Sequence, residues 1–143
     1  MTTAVTNTMK LSKQTYAILK SMAGINSNLH VLPGNKLVCV SPGKNIMFEA
    51  TVEENFPTEF AIWDLNQFLG TLSLFNDAEM TFGEHALTLK SGRQSAEYHY
   101  AEPRLVEGCR PPKSLNLPPV KVTFDLSQQE ITDILRAGSV LQL

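Results

Sequence analysis

Apolar residues recur at helical spacing from Ser12 onward, with Ile18, Leu19, Met22 and Ala23 on one face and Lys13, Ala17 and Lys20 on another. This predicts an amphipathic helix that closes near Gly24, a residue that ends helices readily. Turn-forming clusters at Pro33-Gly34-Asn35 and Ser41-Pro42-Gly43-Lys44-Asn45 cut the following stretch into runs at 29–32, 36–40 and 46–52, which read as strands joined by hairpins. The run 59–63 passes with almost no linker into Asp64-Leu65-Asn66, and Phe68, Leu69, Leu72 and Phe75 then mark one face of a second helix. Three more strand-like runs follow at 78–82, 86–90 and 94–100, separated by Gly83-Glu84-His85 and Ser91-Gly92-Arg93. The order of a helix followed by hairpins therefore occurs twice.

The pattern changes between residues 102 and 119, where Pro103, Pro111, Pro112, Pro118 and Pro119 forbid a regular ladder and favour an extended connector. Beyond it, residues 120–124 alternate like a strand. Ser127 and Glu130 then have the spacing of a capping box ahead of a third helix with Ile131, Ile134 and Leu135 on one face. Residues 1–8 are small, polar and without period, and read as a loose extension. The chain is thus expected to hold a flexible extension at 1–8, a first domain at 9–101, a connector at 102–119 and the beginning of a second domain at 120–143. The fold class is α+β, with two helices on one face of antiparallel sheet in the first domain.

With 143 residues, 43% of them hydrophobic, the chain can bury a sizeable core, since a domain of this size removes roughly 70% of its unfolded surface from water. Its apolar runs fall far short of the roughly 20 residues that cross a bilayer, and its start lacks a basic region followed by an apolar one. No membrane association and no secretion are expected. Cys39 and Cys109 lie far apart without metal-type spacing, so both are expected to be reduced thiols. A formal net charge of −2 excludes a protein that coats nucleic acid indiscriminately, so any contact with nucleic acid must come from locally sorted charge.

The helix starts align as Leu11-Ser12-Lys13-Gln14, Leu65-Asn66-Gln67 and Leu126-Ser127-Gln128. A duplicated unit of strand, helix and hairpins accounts for this, although the preference of helix starts for Ser, Asn or Asp can also produce such a likeness. The run Phe60-Ala61-Ile62-Trp63-Asp64-Leu65-Asn66-Gln67-Phe68-Leu69-Gly70-Thr71-Leu72-Ser73-Leu74-Phe75-Asn76-Asp77-Ala78-Glu79 resembles the strand-to-helix passage of the sliding clamps of T4-like phages. Met9-Lys10-Leu11-Ser12-Lys13 resembles that family's start, the proline-rich stretch its interdomain connector, and residues 125–141 the start of its second domain.

The resemblance implies a DNA-clamp-like domain within a ring of six similar domains, made by three subunits, with helices lining a hole through which duplex DNA passes. Its implied partners are sequence-independent duplex DNA, a DNA polymerase and a clamp loader that uses ATP. Its implied place is the cytoplasm of a phage-infected bacterium, and its role is processivity, with no catalysis and no cofactor. A family subunit continues through a complete second domain. A closed trimeric ring is therefore not expected of these residues alone.

Lys13 and Lys20 lie on one side of the first helix, away from its apolar face, and are the leading candidates to face phosphate; a merely solvated face is the alternative. Lys10 and Arg136 are weaker candidates of the same kind. Val106, Leu115 and Leu117 sit in a segment that cannot form its own core, and either border a pocket for partner peptides or pin the connector to the domain. Chemistry finds little support. Gly43-Lys44-Asn45 lacks the remainder of a phosphate-binding loop, His30, His85 and His99 are scattered, and Glu53-Glu54 and Glu84 read as solvated turn charges. A second reading of the whole is a non-enzymatic phage structural or assembly protein that oligomerises through sheet edges, and a small hydrolase is a third.

Overall fold

A computed structural model describes residues 7–111 and 116–143. Within them the chain runs β1 (Thr8–Lys10), α1 (Lys13–Ala23), β2 (Leu29–Val31), β3 (Gly34–Val40), β4 (Met47–Phe56), β5 (Phe60–Ile62), α2 (Leu65–Ser73), β6 (Glu79–Phe82), β7 (Ala86–Ser91), β8 (Gln94–His99), a 3-10 helix (Pro103–Cys109) and α3 (Gln128–Val140). The fold is α+β, as the periodicity predicts.

The repeat is visible in this order, because a strand, a helix and three strands occur twice, as β1–α1–β2–β3–β4 and β5–α2–β6–β7–β8. Pairing between the copies is reciprocal. The first strand of each copy is antiparallel to the strand after the helix of the other: Met9 lies opposite Met80 where β1 meets β6, and His30 opposite Ala61 where β2 meets β5. Neither copy can complete its hydrogen bonding alone, so the two form one folding unit. β7 and β8 extend the first pair into a four-stranded sheet β1-β6-β7-β8, β2-β5 stays a two-stranded sheet, and β3-β4 forms a separate two-stranded ladder. Gly34, at a φ of 119° that favours glycine, sits where the register of β3 against β4 shifts between Gly34 and Lys36.

Local chemistry fixes the helix ends. Ser12, Asp64 and Ser127 each stand in an extended conformation and accept a hydrogen bond from the backbone three residues on, the standard N-cap arrangement. The capping box at α3 forms in both directions, with Ser127 N donating to Glu130 Oε2 at 2.6 Å and Glu130 N to Ser127 Oγ at 3.2 Å. Structural equivalence therefore puts Asp64, not Asn66, against Ser12 and Ser127. The cap of α2 stands two residues before the Asn66 that sequence likeness places against Ser12 and Ser127. Gly24 does close α1, but in the right-handed region at a φ of −73°, without a left-handed cap.

Thr15, Leu19 and Met22 of α1 and Leu65, Phe68, Leu69 and Leu72 of α2 form the buried faces of the two helices. They close over a core shared with Leu29, Leu37, Phe56, Phe60, Met80 and Leu89 from the strands. Tyr16 joins the helices directly, its hydroxyl donating to the Leu69 carbonyl at 3.3 Å.

Four features differ from the sequence reading. Asn7 and Thr8, assigned to the loose extension, take part in the sheet: Thr8 pairs with Thr81, and Phe82 N donates to the Asn7 carbonyl at 2.8 Å. Residues 1–6 of that extension lie outside the described residues. β4 runs through Glu53-Glu54 instead of ending at Val52, so these two are strand residues and not turn charges. The connector does not start extended. Residues Pro103–Cys109 wind into a 3-10 helix because Val106 and Cys109 bury against Ala61. Two side chains tie its end, Lys44 Nζ donating to the Gly108 carbonyl at 2.8 Å and Arg110 Nη1 to the His30 carbonyl at 2.9 Å. Finally, residues 120–124 make no ladder, and Val120 (80%), Val122 (77%) and Phe124 (72%) are exposed. An alternating pattern becomes a strand only where another strand satisfies its backbone, and no described residue does so here. α3 likewise buries none of its residues.

Candidate nucleic-acid interface

Burying one side of α1 and α2 leaves the other side to solvent. On α1 this outer face carries Lys13, Gln14, Ala17, Lys20 and Ser21, and on α2 Asn66, Gln67, Gly70 and Ser73, all exposed. Neither helix contains an aspartate or glutamate. Lys13 and Lys20 form no ion pair among the described residues, whereas Lys10, Lys36, His30 and His85 each have an acidic neighbour. The helical layer thus shows two free cations on a neutral background of small and amide side chains. Glu49, Glu53, Glu79, Glu84 and Glu97 stand on the strands and their turns, while Asp64 caps α2 and Glu130 and Asp133 lie on α3. Such a surface attracts polyanions without the rigid, bidentate groups that read bases.

The anchoring of α1 depends on Glu54. Inward positions of β4 alternate as Val52, Glu54 and Phe56, all buried, so a carboxylate occupies a core-facing site. It lies under the start of α1, where it accepts from Ser12 N at 2.6 Å and from the Thr15 hydroxyl, while Ser12 Oγ accepts from Thr15 N at 3.1 Å. Burial pushes this carboxyl up, but the bonds from Thr15 and Ser12 outweigh it and hold it below the ordinary carboxylate range. A negative charge at this end also complements the helix dipole. Sequence reasoning missed Glu54. The signal that marks it is its parity with Val52 and Phe56 on one strand.

The other sequence-predicted residues fall in different places. Lys10 does not join the helical face. Strand parity sends Met9 inward and Lys10 outward, where Asp77 binds its ammonium at 2.7 Å and Glu79 lies opposite in the ladder. Arg136 is exposed on α3, with no ion pair among the described residues. Val106 is only 1% exposed and packs with Cys109 and Ala61, so it pins the connector and presents no surface. Leu117 is exposed, as is Leu105 of the 3-10 helix, and Leu115 lies outside the described residues. Cys39 and Cys109 are buried free thiols, and burial pushes both up. Among the described residues no cluster of His, Cys, Asp and Glu is arranged to hold a metal, and no helix is long and apolar enough to cross a membrane.

No family model matches the chain. Over 139 residues it is 30% identical to the sliding clamp of Vibrio phage KVP40, a match covering 94% of this chain and 62% of that protein. It is 31% identical over 137 residues to the sliding clamp of Enterobacteria phage T4, covering 94% of this chain and 59% of that relative. The sliding clamp of Escherichia phage RB69 is 28% identical, with the same coverages. The chain therefore spans about three fifths of the length of these curated relatives. Across almost all of its own residues, the chain is a sequence relative of the phage sliding clamps.

Proposed function

We propose that this chain contributes the DNA-facing helical layer of a sliding clamp, which encircles duplex DNA and tethers a replicative polymerase as a processivity factor. The observation that carries the proposal is the charge sorting: the outer face of α1 and α2 holds Lys13 and Lys20 with no carboxylate on either helix. Mobile ammonium groups attract any phosphate backbone without reading sequence, which suits a protein that must slide. An assembly protein built from sheet edges places no such requirement on its helices, so this sorting favours the clamp reading. The role is topological, with no chemistry asked of the chain. Its setting would be the cytoplasm of the infected host, and a clamp loader and polymerase would be its protein partners. The exposed Leu105 and Leu117 are the connector's candidate contacts for a partner peptide. Ring closure as a homotrimer would draw on the longer chain that the relatives possess.

Reversing the two charges together, as K13E/K20E, is expected to weaken association with duplex DNA at low salt by at least about tenfold and to flatten the salt slope by roughly 2, because each phosphate contact contributes about 0.9. Fluorescence anisotropy with a labelled duplex over a salt series measures both quantities. Unchanged affinity and slope would remove the helical face from the DNA path.

A further inference from the structure

Lys13 occupies the first position of α1, where a helix presents partial positive charge and where a cation is locally unfavourable. Beneath it, one residue back, Glu54 closes on Ser12 N and the Thr15 hydroxyl from the core side. Of the two helices in this layer, only α1 carries lysines, and only its cap is underpinned by a buried carboxylate from another element. Asp64 caps α2 from within its own segment and is not buried.

We infer that Glu54 is a charge-tuning residue of the DNA-facing surface: its buried carboxylate attenuates the positive potential at the start of α1 and so keeps association with phosphate weak. This rests on the reading of α1 as DNA-facing. Glu54 as a residue is only 8% exposed, so its charge is screened less by counterions than a surface carboxylate's and its field acts partly through protein. The residue touches no DNA and acts only by offsetting the cationic end of the helix. A surface meant to hold DNA tightly would leave that end uncompensated. One meant to slide gains from the offset.

The charge can be separated from the hydrogen bonds. In Glu54→Gln, the amide oxygen can still accept from Ser12 N, and the amide nitrogen can donate to the Thr15 hydroxyl oxygen, because a hydroxyl serves in either direction. Anisotropy of the full chain with labelled duplex, at about 20 mM salt where screening is weak, is expected to show E54Q binding about two- to fivefold tighter than the parent. The salt slope is expected to stay unchanged, since no phosphate contact is added. The double substitution E54Q/K13E should regain part of the affinity that K13E loses. Near-parental circular dichroism and thermal melting would show that E54Q preserves the fold. Equal or weaker binding by a folded E54Q overturns the inference while leaving the DNA-facing reading intact, provided K13E/K20E still lowers affinity. If K13E/K20E changes nothing, that reading fails and the attenuation fails with it.

Discussion

Truncating Phe60 to alanine is expected to cost the domain about 4 kcal/mol, the middle of the range for a buried aromatic. Phe60 is almost fully buried on β5, and its ring centroid lies 5.9 Å from that of Phe56, 5.4 Å from Phe82 and 5.4 Å from Tyr100. These rings come from both copies of the repeat: Phe56 ends the first, while Phe60, Phe82 and Tyr100 belong to the second or follow it. The same strand pairs with β2, Phe60 lying opposite Val31. A cavity at this point loosens the contact between copies, and neither copy holds a complete set of pairings without the other. Urea denaturation should therefore remain a single transition, with a midpoint lowered by about 2 M for a slope near 2 kcal/mol per molar. A loss below about 1 kcal/mol would mean that the two copies do not share this cluster.

Glu54→Ala is expected to cost about 3 kcal/mol near neutral pH. It removes two bonds to an ionised carboxylate and strands Ser12 N and the Thr15 hydroxyl beneath the start of α1. The effect has a definite pH dependence. Because the folded-state value is held below the ordinary carboxylate range, the carboxylate stabilises the fold fully above the unfolded value, about 4.3, and loses that contribution as the pH falls through the folded value. The stability gap between parent and Glu54→Ala should therefore be constant from about pH 6 to 8 and narrow below about pH 4. Chemical denaturation of both proteins across that range measures it. A gap that widens on acidification would mean that Glu54 is protonated in the folded state.

Both expectations concern features that were unequally legible in the sequence. The helices and hairpins could be read because their signals are local. Leu19 and Met22 fall one turn apart, Ser12, Asp64 and Ser127 are suited to capping, and Gly83 to His85 and Ser91 to Arg93 break the strands. The duplication could be read because it repeats that local order. The reciprocal pairing could not be, since β1 is three residues long and its partner β6 lies on the far side of α2. A strand this short has no alternation to measure, and what makes it a strand is the backbone of Glu79 to Thr81 waiting beside it.

The candidate interface divides in the same way. Lys13 and Lys20 were legible because a helical face opposite an apolar stripe is exposed wherever that stripe is buried. Lys10 was misplaced because it belongs to a strand, where the neighbour of an inward Met9 points outward through the sheet, away from the helices. Glu54 was missed because a charged residue beside another charged residue looks like a solvated pair, and the donors that stabilise it come from a helix distant in sequence. The 3-10 helix was hidden by its prolines, which bar a ladder but not a tight turn held by Val106 and Cys109. Residues 120–124 show the converse: their pattern suits a strand, yet pattern supplies no partner.

The central claim, that the outer face of α1 and α2 is the surface presented to DNA, is tested most directly by following backbone amide NMR shifts of the chain as duplex DNA is added at about 20 mM salt. Salt-sensitive shifts are expected to concentrate on Lys13, Gln14, Ala17, Lys20, Gln67 and Gly70. Shifts concentrated on the outward side of the four-stranded sheet, at Thr81, Thr88 and Glu97, with α1 unperturbed, would contradict it.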